Sequence, residues 1–149
     1  MKKVAVVLTS TLVVAVGAVA PTAVSAHASA GAHAAAVGPS VTVQIKTMNK
    51  TLLAPKKVHG GKGWITKGKT PTGKCPASSA AGALNAATHG RWTGTYFKSV
   101  GGIFITSILG VKPAKKDFWS VFVNGKSSNK GICDIKLRTG QKLLFKIVS

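Results

Sequence analysis

Acidic side chains are almost missing from this chain. Asp117 and Asp134 are the only carboxylates, there is no glutamate, and 21 lysines and arginines oppose them. Two lone carboxylates give no acid pair of the glycosidase kind except by accident of folding. Cysteine is equally scarce. Cys75 and Cys133 form no C-x-x-C and lie in no Cys/His cluster at zinc spacing, which argues against thiol redox chemistry and structural zinc. No nucleophile-elbow spacing surrounds any serine. Of the four histidines, His59 and His89 are the only ring bases in the central and C-terminal sequence, and His89 sits at a helix end where the dipole favours a cation. His27 and His33 fall in an Ala/Gly-rich tail with nothing to hold them as ligands. The expectation is a non-enzyme with no catalytic residues, no metal site and no resident cofactor.

One literal motif is discounted. Gly63-Trp64-Ile65-Thr66-Lys67-Gly68-Lys69-Thr70 fits G-x-x-x-x-G-K-T. A working phosphate loop follows a buried strand and opens a helix. Here Pro71 follows directly, Gly73 comes soon after, and the preceding Val58-His59-Gly60-Gly61-Lys62 is no core strand.

The only long apolar run is at the start. Met1-Lys2-Lys3 is followed by apolar Val4 to Ala20, then Pro21 and the small residues Val24-Ser25-Ala26. This is a secretory signal over residues 1–26. The alternative is an uncleaved anchor, yet such a run reaches roughly 25 Å as a helix, short of the ~30 Å hydrocarbon core. Membrane contact is expected only through this segment before cleavage. Residues 27–40 read as a flexible Ala/Gly/Ser-rich segment. The folded domain is expected over 41–149, in a secreted, extracellular or envelope-associated protein. There, Cys75 and Cys133 are expected to form a disulfide closing a loop of about 59 residues, for ~4 kcal/mol at most. Two free thiols are the other reading.

Without Lys2 and Lys3, 19 basic residues still face 2 acidic ones. The lysines are spread through most turns and strands. A body so charged is drawn to anionic envelope polymers, acidic lipids or nucleic acid, and such contacts weaken with salt. The other reading is a basic solubility strategy. Charge alone carries no specificity, so no specific nucleic-acid partner is expected.

Val41-Thr42-Val43-Gln44-Ile45 alternates as a strand with one buried face. Thr51-Leu52-Leu53 predicts a short second strand before Pro55, and Lys56 to Gly73 a long loop or weak hairpin. Pro76 to His89 predicts a helix, with Ser78 or Ser79 capping its free amides and Gly90 at the left-handed C′ position. Its apolar face is nearly all alanine, and Gly82 marks a close approach. Strand-like runs follow at Trp92 to Phe97, at Ile103 to Ile105 and then Ile108-Leu109, at Phe118 to Val123, at Ile132-Cys133 and Ile135 to Leu137, and at Leu143 to Ile147. Asn124-Gly125 is a turn pair that tolerates positive φ. One helix among short strands is an α+β pattern.

The aromatics offer the best binding candidates. Trp92, Tyr96 and Phe97 follow the helix. In the Phe118 strand, Phe118, Ser120 and Phe122 share one face and Trp119, Val121 and Val123 the other. One face is core and the other lines a groove, because Trp and Tyr make large stiff contact surfaces. The expected ligand-binding residues are Trp92, Tyr96, Trp119 and Asn124. The bland reading makes these aromatics core fillers.

C-x-x-SSAAGAL-x-x-AT-x-G-x-W-x-G from Cys75, then W-x-x-x-VNG from Trp119, G-x-C at Gly131-Ile132-Cys133 and L-x-x-G at Leu137–Gly140 resemble the transcobalamin C-terminal-like domain. Val41 to Leu53 resembles that family's first strand pair. Gly140-Gln141 stands where the family commonly has Gly-Asp. The resemblance implies a β-grasp-like mixed sheet packed on one helix. It implies kinship with the small lobes of cobalamin carriers, which cover one face of a corrinoid. The expected function is a non-catalytic binding module for a small ligand, with cobalamin the implied candidate. The alternative is a basic envelope protein binding anionic polymers or a protein partner.

Overall fold

The computed structural model describes residues 38–67, 73–97 and 102–149. The signal over 1–26, the tail through residue 37, and Gly68 to Thr70 of the phosphate-loop-like motif lie outside the described residues.

Alternation in the first strand becomes the base of the domain. In β1 (Ser40–Lys46), Val41, Val43 and Ile45 are buried and the residues between them are half-exposed. Antiparallel to it runs β2 (Thr51–His59), and parallel to it β9 (Lys142–Val148). β7 (Phe118–Val123) pairs antiparallel with β9, and β8 (Lys126–Ser127) closes the edge, giving the order β2-β1-β9-β7-β8. The first and last strands thus meet in the middle of one mixed sheet. A hairpin of β3 (Trp64–Thr66) with β4 (Lys74–Pro76) and a longer ladder of β5 (Trp92–Phe97) with β6 (Gly102–Ile108) stand outside it.

β2 runs through Pro55, where the sequence predicts a stop. It is an edge strand, so the missing N–H costs no ladder partner, and the register shifts opposite Val43–Ile45 absorb the irregularity. The loop expected from Lys56 accordingly yields four residues to β2 and three to β3.

α1 (Ala80–Thr88) is buried at all but two of its residues, Asn85 and Ala86. Its alanines join Leu84 in one core with Val43, Ile45, Leu143, Phe145, Trp119 and Val121 from the sheet. Gly82 is required here, since a Cβ at that position would collide with the Ala77 carbonyl.

The N-cap differs from the expectation. Ser79 makes no side-chain cap; its hydroxyl donates to Pro76 O at 2.7 Å. The first-turn amides of Ala80 and Ala81 instead donate to Ile135 O (2.9 Å) and Ile132 O (3.0 Å). Leu137 N donates to Ser78 O in return, at 3.0 Å. This is why Ile132 to Leu137 is a turn with one isolated bridge (Ser79 to Lys136) rather than the predicted strand. Its carbonyls are committed to the helix start. Cys133, in this turn, is bonded to Cys75 of β4, Cα to Cα 4.8 Å, so the disulfide fastens the capping segment beside the helix.

At the other end, His89 (φ 52°) and Gly90 (φ 76°) are both left-handed, and their amides donate to Ala86 O and Asn85 O. Cations from elsewhere meet the negative end of the helix. Lys67 Nζ donates to Gly90 O at 2.7 Å and Arg91 Nε to Thr88 O at 3.4 Å.

Candidate functional site

The four residues picked from the sequence do not share one open groove. Trp92 is 2 % exposed and Trp119 5 %, both within the core. The Trp92 indole donates to Asn85 Oδ1 at 3.1 Å, and Lys67 Nζ lies 5.5 Å from its ring centroid. Tyr96 is half-buried against the core. Asn124 occupies the β7–β8 turn with φ 50°, Gly125 following at 83°, and its Oδ1 accepts from Lys142 N at 2.8 Å. Trp92 edges a depression of about 510 Å³ with Lys67, Arg91, Thr93, Ser107 and Leu109. The histidines are placed apart. His59 Nδ1 lies 3.3 Å from Gly38 O, and His89 Nε2 3.2 Å from Lys56 Nζ.

The open aromatic surface is on the opposite face of β5. Trp92 and Tyr96 point inward, so Thr93, Thr95 and Phe97 point outward. Thr95 is the Cα partner of Phe104, which places Phe97 and Phe104 diagonally on the same outer face. Their rings meet edge to face at 6.4 Å, and the two side chains are 47 % and 48 % exposed. Gly94 permits the close crossing between the strands, because a Cβ there would strike Ile103 and the Phe104 carbonyl, and the register shifts at that point.

These rings floor a depression of about 400 Å³ whose other wall is the loop after β8, from Asn129 to Gly131, with Asp134. Asp134 also edges two neighbouring depressions. One runs along Lys130, Lys136, Arg138 and Gln141, and the other along Ser78, Ser79 and Lys136. The continuous surface has an aromatic end, a basic end and the exposed Asp134 carboxylate between them. The capping hydrogen bonds and the disulfide hold its loop wall in place. Chemically it offers apolar stacking, ammonium and guanidinium donors and one carboxylate. Among the described residues, no three His, Cys, Asp or Glu side chains gather as metal ligands.

A signal for Phe97 and Phe104 was present in the sequence. Phe97 is in phase with polar Thr93 and Thr95, and Phe104 is out of phase with Ile103 and Ile105. Large aromatics at outward positions of a half-buried strand are unexplained by the core.

Residues 77–149 match the family model described as Domain of unknown function (DUF4430). No curated protein matches the chain. Among solved structures, the chain is similar to haptocorrin in a crystal structure of its complex with Cbi. Identity is 17 %, the TM-score is 0.52, and the match covers 74 % of this chain and 25 % of that one. It is also similar to a candidate metal-binding protein from Ruminococcus gnavus ATCC 29149, at 13 % identity and a TM-score of 0.51, over 74 % of this chain and 97 % of that one. At these identities the likeness is one of fold, and the chain spans a quarter of the haptocorrin chain. The matched segment takes in the helix, the aromatic ladder, Cys133 and the closing strand. With the haptocorrin-like fold, it bears out the resemblance to the transcobalamin C-terminal-like domain.

Proposed function

We propose that this chain is an exported, non-catalytic binding module of β-grasp type whose small ligand is a flat molecule of the corrinoid class. The observation that carries the reading is the depression floored by Phe97 and Phe104 and walled by Asn129, Lys130 and Asp134. Two exposed rings on a paired ladder offer a stiff apolar platform. Covering them contributes a few kcal/mol at about 25 cal/mol per Å². Asn129 and Lys130 supply donors to amide or phosphate oxygens at the ligand rim. The site is open and of modest volume, as suits a lobe that covers one face of a larger ring. Trp92, Tyr96 and Trp119 serve this site from behind, anchoring the ladder and β7 in the core.

The parallel pairing of β1 with β9 and the single packed helix support the β-grasp assignment. The signal pattern at residues 1–26 and the Cys75–Cys133 bond support export, since disulfides persist in oxidising compartments.

The test is titration of the secreted protein with cobinamide and with cobalamin, read by Trp fluorescence and by equilibrium dialysis of the coloured ligand. Micromolar-range binding is expected, weakened about tenfold or more when Phe97→Ala and Phe104→Ala are combined. No retention at roughly 100 µM ligand would sink the corrinoid assignment. A second reading, attraction to anionic envelope polymers, is favoured by the excess of 19 basic over 2 acidic residues outside the signal.

A further inference from the structure

Apolar side chains stand exposed at one end of the five-stranded sheet, with lysines on either side of them. Strand pairing defines this end. Lys46 lies beside Lys146, and Phe118 opposite Val148, so β1 and β9 finish where β7 begins. The turn between β1 and β2 projects from the same end. Thr47 holds that turn closed, its amide donating to Lys50 O at 2.7 Å and its Oγ1 accepting from Lys50 N at 2.9 Å. Met48 rides on the turn, 43 % exposed, between Lys46 and Lys50. Phe118 is 41 % exposed at the start of β7, just after Lys115 and Lys116. Alternation carries the apolar surface onto half-exposed Val148, and onto Phe122 and Leu144, which pair with each other on the outer face.

Core packing does not account for this surface. Met48, Phe118, Phe122, Leu144 and Val148 belong neither to the core nor to the side chains packed against it. The charge here is one-sided as well. Lys46, Lys50, Lys115, Lys116 and Lys146 flank the apolar residues, and half-buried Asp117 is the one carboxylate among them in sequence. Asp134 lies with Val123 and Gln141, towards the other end of the sheet. Apolar tips bordered by long cationic stems match a bilayer interface. The tips enter the acyl boundary while each ammonium stays at headgroup level.

We propose that this end of the domain docks on an anionic phospholipid bilayer, with Met48 and Phe118 entering the acyl boundary and the flanking lysines held among the lipid phosphates. The contact belongs to the folded domain. It is separate from the signal segment and independent of the corrinoid site. Apolar and cationic groups together select this occupant. A bare polyanion would meet the lysines and leave Met48 and Phe118 in water. Single-stranded nucleic acid needs successive rings on which to stack. Met48, Leu144 and Val148 offer none, and Phe118 and Phe122 stand four residues apart on β7, ~13 Å. A protein partner is disfavoured by lysines bordering every apolar anchor, since lysine is depleted at such interfaces. On a bilayer each lysine near the surface contributes about fivefold in affinity.

The experiment measures co-sedimentation of the full chain, expressed for secretion, with phosphatidylcholine vesicles and with vesicles holding about one third phosphatidylglycerol. Binding to the anionic vesicles is expected, weakening as salt rises, with little to the neutral ones. The tip variant combines Met48→Ser with Phe118→Ser and is expected to lose about tenfold or more in affinity. The charge variant combines Lys46→Gln, Lys50→Gln, Lys115→Gln and Lys116→Gln and is expected to lose about 100-fold or more. The control combines Lys57→Gln, Lys62→Gln, Lys126→Gln and Lys142→Gln, exposed lysines away from this end, for the same net charge. It is expected to change by no more than about threefold. Unchanged binding by the tip variant would overturn insertion. Equal losses in the charge variant and the control would overturn the location. Tighter binding to soluble polyphosphate or to single-stranded DNA than to anionic vesicles would overturn the bilayer as occupant. Should the tip variant fold poorly, Met48→Trp on the exposed turn answers the same question. Its added fluorescence should be quenched by lipids brominated on their acyl chains, and no quenching beyond that of the parent chain would overturn the proposal.

Discussion

The two faces of the sheet are made by the same strands and behave as opposites. On β9, Leu143, Phe145 and Ile147 are buried at 1 %, 0 % and 6 % exposure, against a helix of alanines. Lys142, Leu144 and Lys146, which alternate with them, point the other way and are exposed or half-exposed. One face therefore carries the stability and is uncharged. The other contributes little to stability and holds repelling charge. A strand cannot slip register without exchanging these two sets, so the alternation fixes the pairing as firmly as the hydrogen bonds do.

Neighbouring residues on β9 test this contrast most strongly. Phe145→Ala leaves a cavity between sheet and helix and should cost about 3 to 5 kcal/mol. Lys146→Gln, one position on and facing the other way, should stay within about 0.5 kcal/mol and lean towards stabilisation, because it relieves Lys46. Urea unfolding of both variants checks the pair. Comparable losses at the two positions would mean that the outer face is covered in the native protein.

The disulfide should come next in size, and it belongs wholly to the buried side. Replacing Cys75 and Cys133 by alanine together should cost about 3 kcal/mol from the loop released. The local consequence is more specific. The turn that accepts from the Ala80 and Ala81 amides loses its tether, so hydrogen exchange at these two amides should accelerate beyond the global change. Uniform acceleration across the domain would show that the capping contacts hold without the bond.

Much of the inner face was legible in the sequence. Val41-Thr42-Val43-Gln44-Ile45 announces its buried side, and the Ala80, Ala83, Leu84 and Ala87 spacing announces the helix. What could not be read locally was satisfied non-locally. The helix N-terminus looked capped by serine, yet its amides are met by carbonyls more than fifty residues later, at Ile132 and Ile135. Pro55 looked like a stop because its place on an edge strand depends on what lies beyond it. The meeting of two lysines on the outer face is invisible in sequence for the same reason. Lys46 and Lys146 become neighbours only when the first and last strands pair. At the Phe97–Phe104 depression the period-2 signal was available, but Phe97 was grouped with Trp92 and Tyr96 by proximity in sequence although it faces the other way.

A smaller loss than either of these is expected where a binding role and a turn role compete at one residue. Asn124 stands at φ 50° and its side-chain oxygen accepts from Lys142 N. Asparagine serves both needs, since it tolerates the left-handed region and its short side chain reaches the neighbouring amide. Asn124→Ala removes the acceptor and strains the backbone, and should cost about 1 to 2 kcal/mol in urea unfolding. Asn124→Asp keeps the acceptor and much of the tolerance, so it should recover most of that loss. A turn role predicts that ligand affinity follows stability in neither variant, because the turn lies on the sheet and not on the Phe97–Phe104 depression. If Asn124→Asp restored stability while corrinoid binding still fell tenfold, the amide itself would be a ligand contact. The site would then have to extend from the aromatic ladder to the β7–β8 turn, next to the outer face of the sheet.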